Sequence, residues 1–257
     1  MISLLLFRAK HFLSHLLTAK GAHSLHSPFV FKLYNEAVKK APKRSIKEIE
    51  LLRRQLKKDS REIDVVDFKE EKSKRKTLSS VAKTSLSQPK FSSFLNLLVS
   101  YLDAHSALES GTSLGINTLY LSRSASCKKV ITIEGSPIIH DVAKKLFIDQ
   151  KDDKIELILG SIYDEFVPAL IKHQPDVIFL DADHRSSAIE FYLENIITHH
   201  PTVKCIIIHD IYWSEDMLSK WNEIKDDNRF PLTIDVFQAG LIFPNQEMPK
   251  QHFKLKF

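Results

Sequence analysis

The sequence predicts an α/β fold: a doubly wound, seven-stranded, mostly parallel sheet at 81–257, preceded by an N-terminal helical extension at 1–80. Three observations predict it. From residue 106 onward, short apolar runs alternate with helical stretches of about a dozen residues, the length that parallel crossovers need. Several of those runs are apolar throughout, as strands covered on both faces are. Residues 1–80 instead show helical spacing and helix-start signals.

In the extension, apolar residues at 2, 5, 6, 9, 12, 13, 16 and 17 repeat at helical spacing. The stripe is expected to bury itself on the body of the protein, as a lid, or on a second subunit in a homodimer; membrane-surface binding is the lesser option. Gly21 is expected to stop this helix in a left-handed conformation. A short helix follows to about Lys40, and Ser45 with Glu48 forms a capping-box pattern that opens another to about Lys58. Residues 69–76 have no apolar member and are expected to be exposed and mobile. After Pro89 an apolar helix, Phe91 to Leu102, leads into the sheet. Strands are expected at Ser106–Ser110, Lys129–Glu134, Ile155–Leu159, Asp176–Asp181 and Lys204–His209. An antiparallel pair at Thr233–Phe237 and Leu241–Phe243 closes the sheet, with Phe253–Phe257 as an optional last strand.

With 43% apolar and 27% charged residues, the chain has the composition of a globular protein with a sizeable core. Its two cysteines, Cys127 and Cys205, make no disulfide framework or metal spacing, and a reducing cytoplasm is expected. The apolar run at 2–7 lacks the positive flank and length of a secretory signal, and no run suits a membrane span. Residues 1–90 hold 21 lysines and arginines against 9 acids, the remainder 16 against 23. Such a basic front can favour nucleic acid, an anionic surface or an acidic partner, but a solvated helical surface is the expected reading.

The chemistry begins where the first strand of the sheet ends, at Glu109-Ser110-Gly111-Thr112-Ser113-Leu114-Gly115. A glycine turn between strand and helix lets the backbone approach a ligand. The dinucleotide pattern G-x-G-x-x-G fails at Ser113 and Ile116. The segment resembles motif I of class I S-adenosylmethionine-dependent methyltransferases, with Ser113 in place of the middle glycine. Its G-T-x-x-G-x-x-T form is similar to the catechol-O-methyltransferase-like, small-molecule branch. The resemblance covers about residues 80–245 and implies a Rossmann-like fold with S-adenosylmethionine as cofactor. Glu109, Gly111, Thr112, Ser113 and Gly115 then form the cofactor turn. Glu134, 25 positions after Glu109 at the next strand tip, accepts the ribose hydroxyls, and Gly160 and Ser161 flank the adenine.

The run Val177-Ile178-Phe179-Leu180-Asp181-Ala182-Asp183-His184 delivers two carboxylates and an imidazole from an apolar strand, which packing alone does not explain. It resembles the D-A-D-K or D-A-D-H segment of the same branch. The resemblance assigns Asp181 to the cofactor or a metal and His184 to general base, where imidazole ionises in a useful range. Asp183 is either functional or a helix cap. In metal-dependent relatives an Asp-Asn or Asp-Asp pair stands where His209-Asp210 stands here. Asp181, His209 and Asp210 are therefore the candidate ligands of a divalent cation such as Mg2+, although imidazole suits other ions better. Tyr212 and Trp213 wall the cofactor or acceptor, or pack in the core. Ala82 to Ser85 and the following helix stand where this branch folds a segment over the cofactor. The front, from His23 through Phe29, resembles the N-terminal regions of bacterial methyltransferase-like proteins and carries no assigned chemistry.

The expected activity is O-methylation of a small-molecule, glycan or lipid-intermediate acceptor. The N/D-P-P-Y/F/W segment common in DNA and RNA amino-methyltransferases is absent from the Asp181 block. An RNA methyltransferase gripping its substrate with the basic front half is one alternative. A nonenzymatic S-adenosylmethionine-binding module, suggested by Ser113 and His209, is another.

Overall fold

The computed structural model describes residues 2–67, 72–245 and 249–257. The chain divides into two compact units, a split one of Met1–Lys39 with Ala169–Phe257 and a central one of Lys40–Pro168. The first elements are α1 (Ile2–Thr18), α2 (Pro28–Leu33), α3 (Lys47–Leu56), β1 (Glu62–Asp67), β2 (Lys72–Thr77), α4 (Leu78–Ser85) and α5 (Pro89–Tyr101). Next come β3 (Ser106–Ser110), α6 (Ile116–Ser122), β4 (Lys129–Glu134), α7 (Pro137–Asp149), β5 (Ile155–Leu159) and α8 (Ile162–His173). The remainder is β6 (Val177–Leu180), α9 (Ser186–His199), β7 (Cys205–His209), α10 (Glu215–Asp226), β8 (Leu232–Asp235), β9 (Ala239–Phe243) and β10 (Gln251–Lys254).

In the central unit β3, β4 and β5 pair in parallel, with Ala107 opposite Val130 and Val130 opposite Ile155. The helices around them bury Ile49, Leu78, Leu114, Leu119, Tyr120 and Phe147 in one apolar cluster. The capping box at Ser45 and Glu48 is not used. The N-cap is Ile46, with no side-chain cap, and its amide donates instead to the Tyr120 hydroxyl at 3.1 Å. A tertiary donor–acceptor pair has replaced the local one.

The expectation of a mobile charged stretch at 69–76 needs correction. Residues 69–71 lie outside the described residues, but 72–76 belong to β2, which pairs antiparallel with β1. Main-chain hydrogen bonds hold such a ribbon without apolar side chains, and opposite charges across it help. Asp64 stands opposite Arg75, whose guanidinium lies 2.7 Å from Glu62. Residues 1–80 are therefore not helical throughout.

The split unit orders its strands β10-β8-β9-β7-β6, with β6 and β7 parallel and β9 antiparallel to both β7 and β8. The expected closing pair is present as β8 and β9. The optional last strand appears as β10, parallel to β8. With three strands in the central unit this makes eight where seven were expected. Gly21 does not stop α1 in a left-handed conformation: its φ is −97° and it opens a short 3-10 turn.

The orientation of α1 is the larger correction. The face turned onto β8 and its neighbours is the polar one. His15 is buried, 3.4 Å from Asp235 and 3.1 Å from the Leu255 carbonyl, and His11 stacks on Tyr212. Asp235 is fully buried and must be met by donors. Tyr212 donates to it at 2.6 Å and the Phe237 amide at 2.7 Å, and His15 completes the set. Satisfying that carboxylate dictates which side of α1 faces inward, and the leucines face out.

Gly115 begins α6 with φ at +78°, and a Cβ there would lie 2.6 Å from the Phe147 ring. Gly115→Ala is expected to lower stability by about 1–3 kcal/mol through left-handed strain and overpacking. Denaturant unfolding checks this, and an unchanged midpoint would contradict the packing described.

Candidate active site

In the central unit, β3 carries Glu109 into a fully buried position. One of its oxygens accepts from the Thr118 hydroxyl at 2.5 Å and from Thr132 at 2.7 Å. Thr132 in turn lies 2.7 Å from the Thr112 hydroxyl, which must donate because the Thr132 proton is committed to Glu109. These hydroxyls stabilise a buried carboxylate that burial alone would disfavour. Glu109 thus anchors the turn from beneath.

Glu134 plays the complementary part. Its oxygens accept from the Ser113 and Ser136 amides, each at 2.9 Å. Burial nonetheless raises its pKa above the ordinary carboxylate value, the amides and His140 only partly opposing it. Ser113 holds a positive φ of 50° without being glycine. Its amide is clamped by Glu134 and its hydroxyl donates to Ser85 at the end of α4 at 2.8 Å. Each Glu134 oxygen keeps a lone pair beyond its amide bond.

Gly160 follows β5, and a Cβ there would meet the Glu165 side chain at 2.5 Å. The Ser161 hydroxyl accepts from the Tyr163 amide, at the start of α8. A second network escaped the sequence reading. Arg53, almost fully buried, holds Glu50, the Ser87 carbonyl and Ser92, and Ser92 donates to Asn117 at 2.7 Å. It ties the α4–α5 connection to the helix after the glycine turn. A buried arginine bridging residues far apart in sequence leaves no local signature.

In the split unit, β6 and β7 end side by side and bring their charged residues together. Asp181 lies 2.7 Å from His209 Nδ1 and 3.5 Å from His184 Nε2. Asp210 Oδ2 is 3.8 Å from a ring nitrogen of each histidine. Burial opposes the charge on Asp181, but the His209 charge and hydrogen bonds from both imidazoles prevail and hold its pKa down to about 2. Burial also opposes the charge on His209, yet Asp181 and, further off, Asp210 raise it to about 9. The two form an ion pair across neutral pH.

Asp183 neither caps α9 nor joins this cluster. It pairs with Arg185 at 2.5 Å, while Asp216 from α10 accepts from the Ser186 amide and hydroxyl at 2.7 Å. Tyr212 and Trp213 separate. Tyr212 is buried on Asp235 and stacked on Phe237, its phenol pKa pushed far up by burial and then by that carboxylate. Trp213 stays partly exposed, with its ring 5.4 Å from that of His184. Arg8 of α1 covers the other contact of this ring, its guanidinium 3.7 Å from the ring centre and bonded to the Trp213 carbonyl at 3.1 Å.

Among the described residues, the donor atoms of Asp181, His184 and His209 lie within 4.8 Å of one another, and Asp210 is not a member of that set. Two imidazoles and one carboxylate suit a borderline cation, whereas Mg2+ prefers oxygen ligands. These residues do not fit a Mg2+ ion.

The pair makes a prediction about pH. His209, raised above its unfolded value, contributes stability that is complete below about pH 6.5 and is lost as pH rises through about 9. Asp181, lowered, contributes above about pH 4, and its share is lost as pH falls through about 2. The gap in thermal midpoint between the wild type and Asp181→Asn should therefore be widest near pH 6 and narrow by pH 9.5. A gap independent of pH would contradict the ion pair.

Comparison with known proteins places these residues in a family. A catechol O-methyltransferase of Mycobacterium tuberculosis is 33% identical over 96 residues, which are 37% of this chain and 43% of that protein. The chain thus aligns with less than half the length of that curated relative. An SAH-bound methyltransferase from Podospora anserina superposes at TM-score 0.56 and 16% identity, covering 78% of this chain and 96% of that one. An O-methyltransferase from Bacillus cereus in complex with SAH does so at 0.50 and 21%, covering 62% and 83%. At these identities the likeness shows the fold, the Rossmann-like α/β architecture expected from the strand–helix rhythm. Residues 43–233, well over half of the sequence, match the O-methyltransferase family model, and the chain belongs to that family.

Proposed function

We propose that this protein transfers a methyl group from S-adenosylmethionine to a hydroxyl oxygen of a small molecule. The observation that carries the reading is the Asp181–His184–His209 cluster, partly open to solvent, where the paired parallel strands β6 and β7 end. Family membership supplies the reaction class, and the relative named for catechol points to a vicinal diol as the first acceptor to try.

In this reading Gly111, Thr112, Ser113 and Gly115 form the turn that receives the cofactor, anchored by Glu109. Glu134 accepts the ribose hydroxyls, Gly160 and Ser161 border the adenine, and Asp181 opposes the positive end of the cofactor. Bound S-adenosylmethionine supplies an activated methyl group on a sulfonium. His184 accepts the proton of the acceptor hydroxyl, and Asp210 and Asp181 stabilise the imidazolium that results. His209 holds Asp181 ionised and in place. Trp213 orients the His184 ring, and much of the rate comes from positioning. The reading gives the proton to His184 and invokes no Mg2+ ion. The residues ahead of the family match at 43–233 serve as an extension to it, with α1 contributing Arg8 to the Trp213 wall.

Production of S-adenosylhomocysteine from S-adenosylmethionine with a panel of catechols tests the reading. His184→Ala should lower turnover by about 10²–10⁴-fold, the usual range for one acid–base group, with cofactor affinity nearly unchanged. Full activity in that variant would remove His184 as the base. Glu134→Ala should weaken cofactor binding by about 1.5–3 kcal/mol, as for a lost hydrogen bond to a charged group. Turnover should survive EDTA, and loss restored by Mg2+ would overturn the metal-free mechanism.

A further inference from the structure

Apart from Phe12, whose ring meets Phe237 edge-on at 5.0 Å, the outward face of α1 is largely exposed, and its composition says what would cover it. Leu5, Leu6, Leu13 and Leu17 are 66%, 65%, 61% and 87% exposed, and Phe12 and Leu16 are exposed beside them. At 3.6 residues per turn these six and Ala9 fill one uninterrupted apolar arc of about 140°. Arg8, committed to Trp213, borders one edge of the arc, and the exposed Lys10 borders the other. The opposite side, with His11 and His15, is already spent on Tyr212 and Asp235. The helix cannot roll its leucines inward without stripping the buried Asp235 of His15.

We propose that α1 is an interfacial helix that docks this chain on an anionic lipid surface. Charge decides between lipid and a second copy. The helix contains no acid, and the first acidic residue in the chain is Glu36. Lys10 is exposed on the helix and Lys20 just after it. Cations at the margin of an apolar arc meet phosphate headgroups while the leucines enter the acyl boundary. A second α1 would offer those cations nothing to pair with. Size argues the same way: a helix about 25 Å long and 10 Å wide presents a face of roughly 250 Å2, against about 800 Å2 per partner in a stable protein interface. The helix is too short and too charged to span the bilayer, and none of the described helices is long and apolar enough to do so.

Docking through α1 would also act at the proposed acceptor site. Arg8 on the same helix holds Trp213, which packs against His184. The lipid-binding claim itself is independent of the catalytic reading and is tested without it.

Full-length protein is sedimented with vesicles of phosphatidylcholine alone and of phosphatidylcholine with phosphatidylserine in equal parts. It should pellet with the anionic vesicles and several-fold less with neutral ones or in high salt. Leu13→Glu with Leu17→Glu should abolish pelleting while circular dichroism and thermal midpoint stay unchanged, since both side chains are exposed. Should that variant misfold, Lys10→Glu gives the second arm and should reduce pelleting several-fold. An environment-sensitive fluorophore on Leu17→Cys should shift to the blue on anionic vesicles. Protein that stays in the supernatant with anionic vesicles overturns the proposal. So does a solution dimer, seen by light scattering, that Leu13→Glu with Leu17→Glu converts to monomer, because a second copy would then own this face.

Discussion

Asp181 leaves an all-apolar strand, Val177–Leu180, and its carboxylate has to be met by positive charge where the strand ends. His209, at the end of the neighbouring parallel strand, meets it at 2.7 Å. That contact constrains the rest of the cluster. It keeps Asp181 ionised, commits one imidazole as a cation and leaves His184 facing two carboxylates. One ion pair therefore sets the charge state on which the proposed proton transfer depends.

The same physical demand recurs wherever a charge is buried. Glu109 is met by threonine hydroxyls, Asp235 by Tyr212, His15 and a main-chain amide, and Arg53 by Glu50 and two serines. In each case solving the local problem fixes something larger. Glu109 fixes the helix after the glycine turn to the neighbouring strand. Arg53 fixes the α4–α5 connection. Asp235 fixes the rotation of α1, and the exposure of its leucines is a consequence.

The strands were legible because period and composition are local. Val177–Leu180 and Cys205–His209 announce themselves as buried parallel strands, and the charged residues just past them announce a site. Family resemblance added roles that periodicity cannot assign. What stayed hidden depended on partners distant in sequence. The apolar stripe of α1 looked like a buried face, because nothing in residues 2–18 reveals that Asp235 requires His15. The capping box at Ser45 looked usable until Tyr120 took the Ile46 amide. The lysine-rich 72–76 looked mobile because a charged ribbon paired through its main chain leaves no apolar pattern. Trp213 was expected as a wall, but the Arg8 that holds it lies 205 positions earlier.

The protonation of His209 is the point at which the account is most directly exposed. Nitrogen-15 NMR of the histidine side chains in the wild-type protein, titrated from pH 6 to pH 10, reads it without any acceptor or cofactor. The ion pair requires a doubly protonated His209 ring at pH 7.5 that loses its proton near pH 9. A neutral His209 at pH 7.5, with one nitrogen bare toward Asp181, would contradict it. The same pocket would then be open to a cation, and the roles assigned to Asp181 and His184 would have to be redrawn.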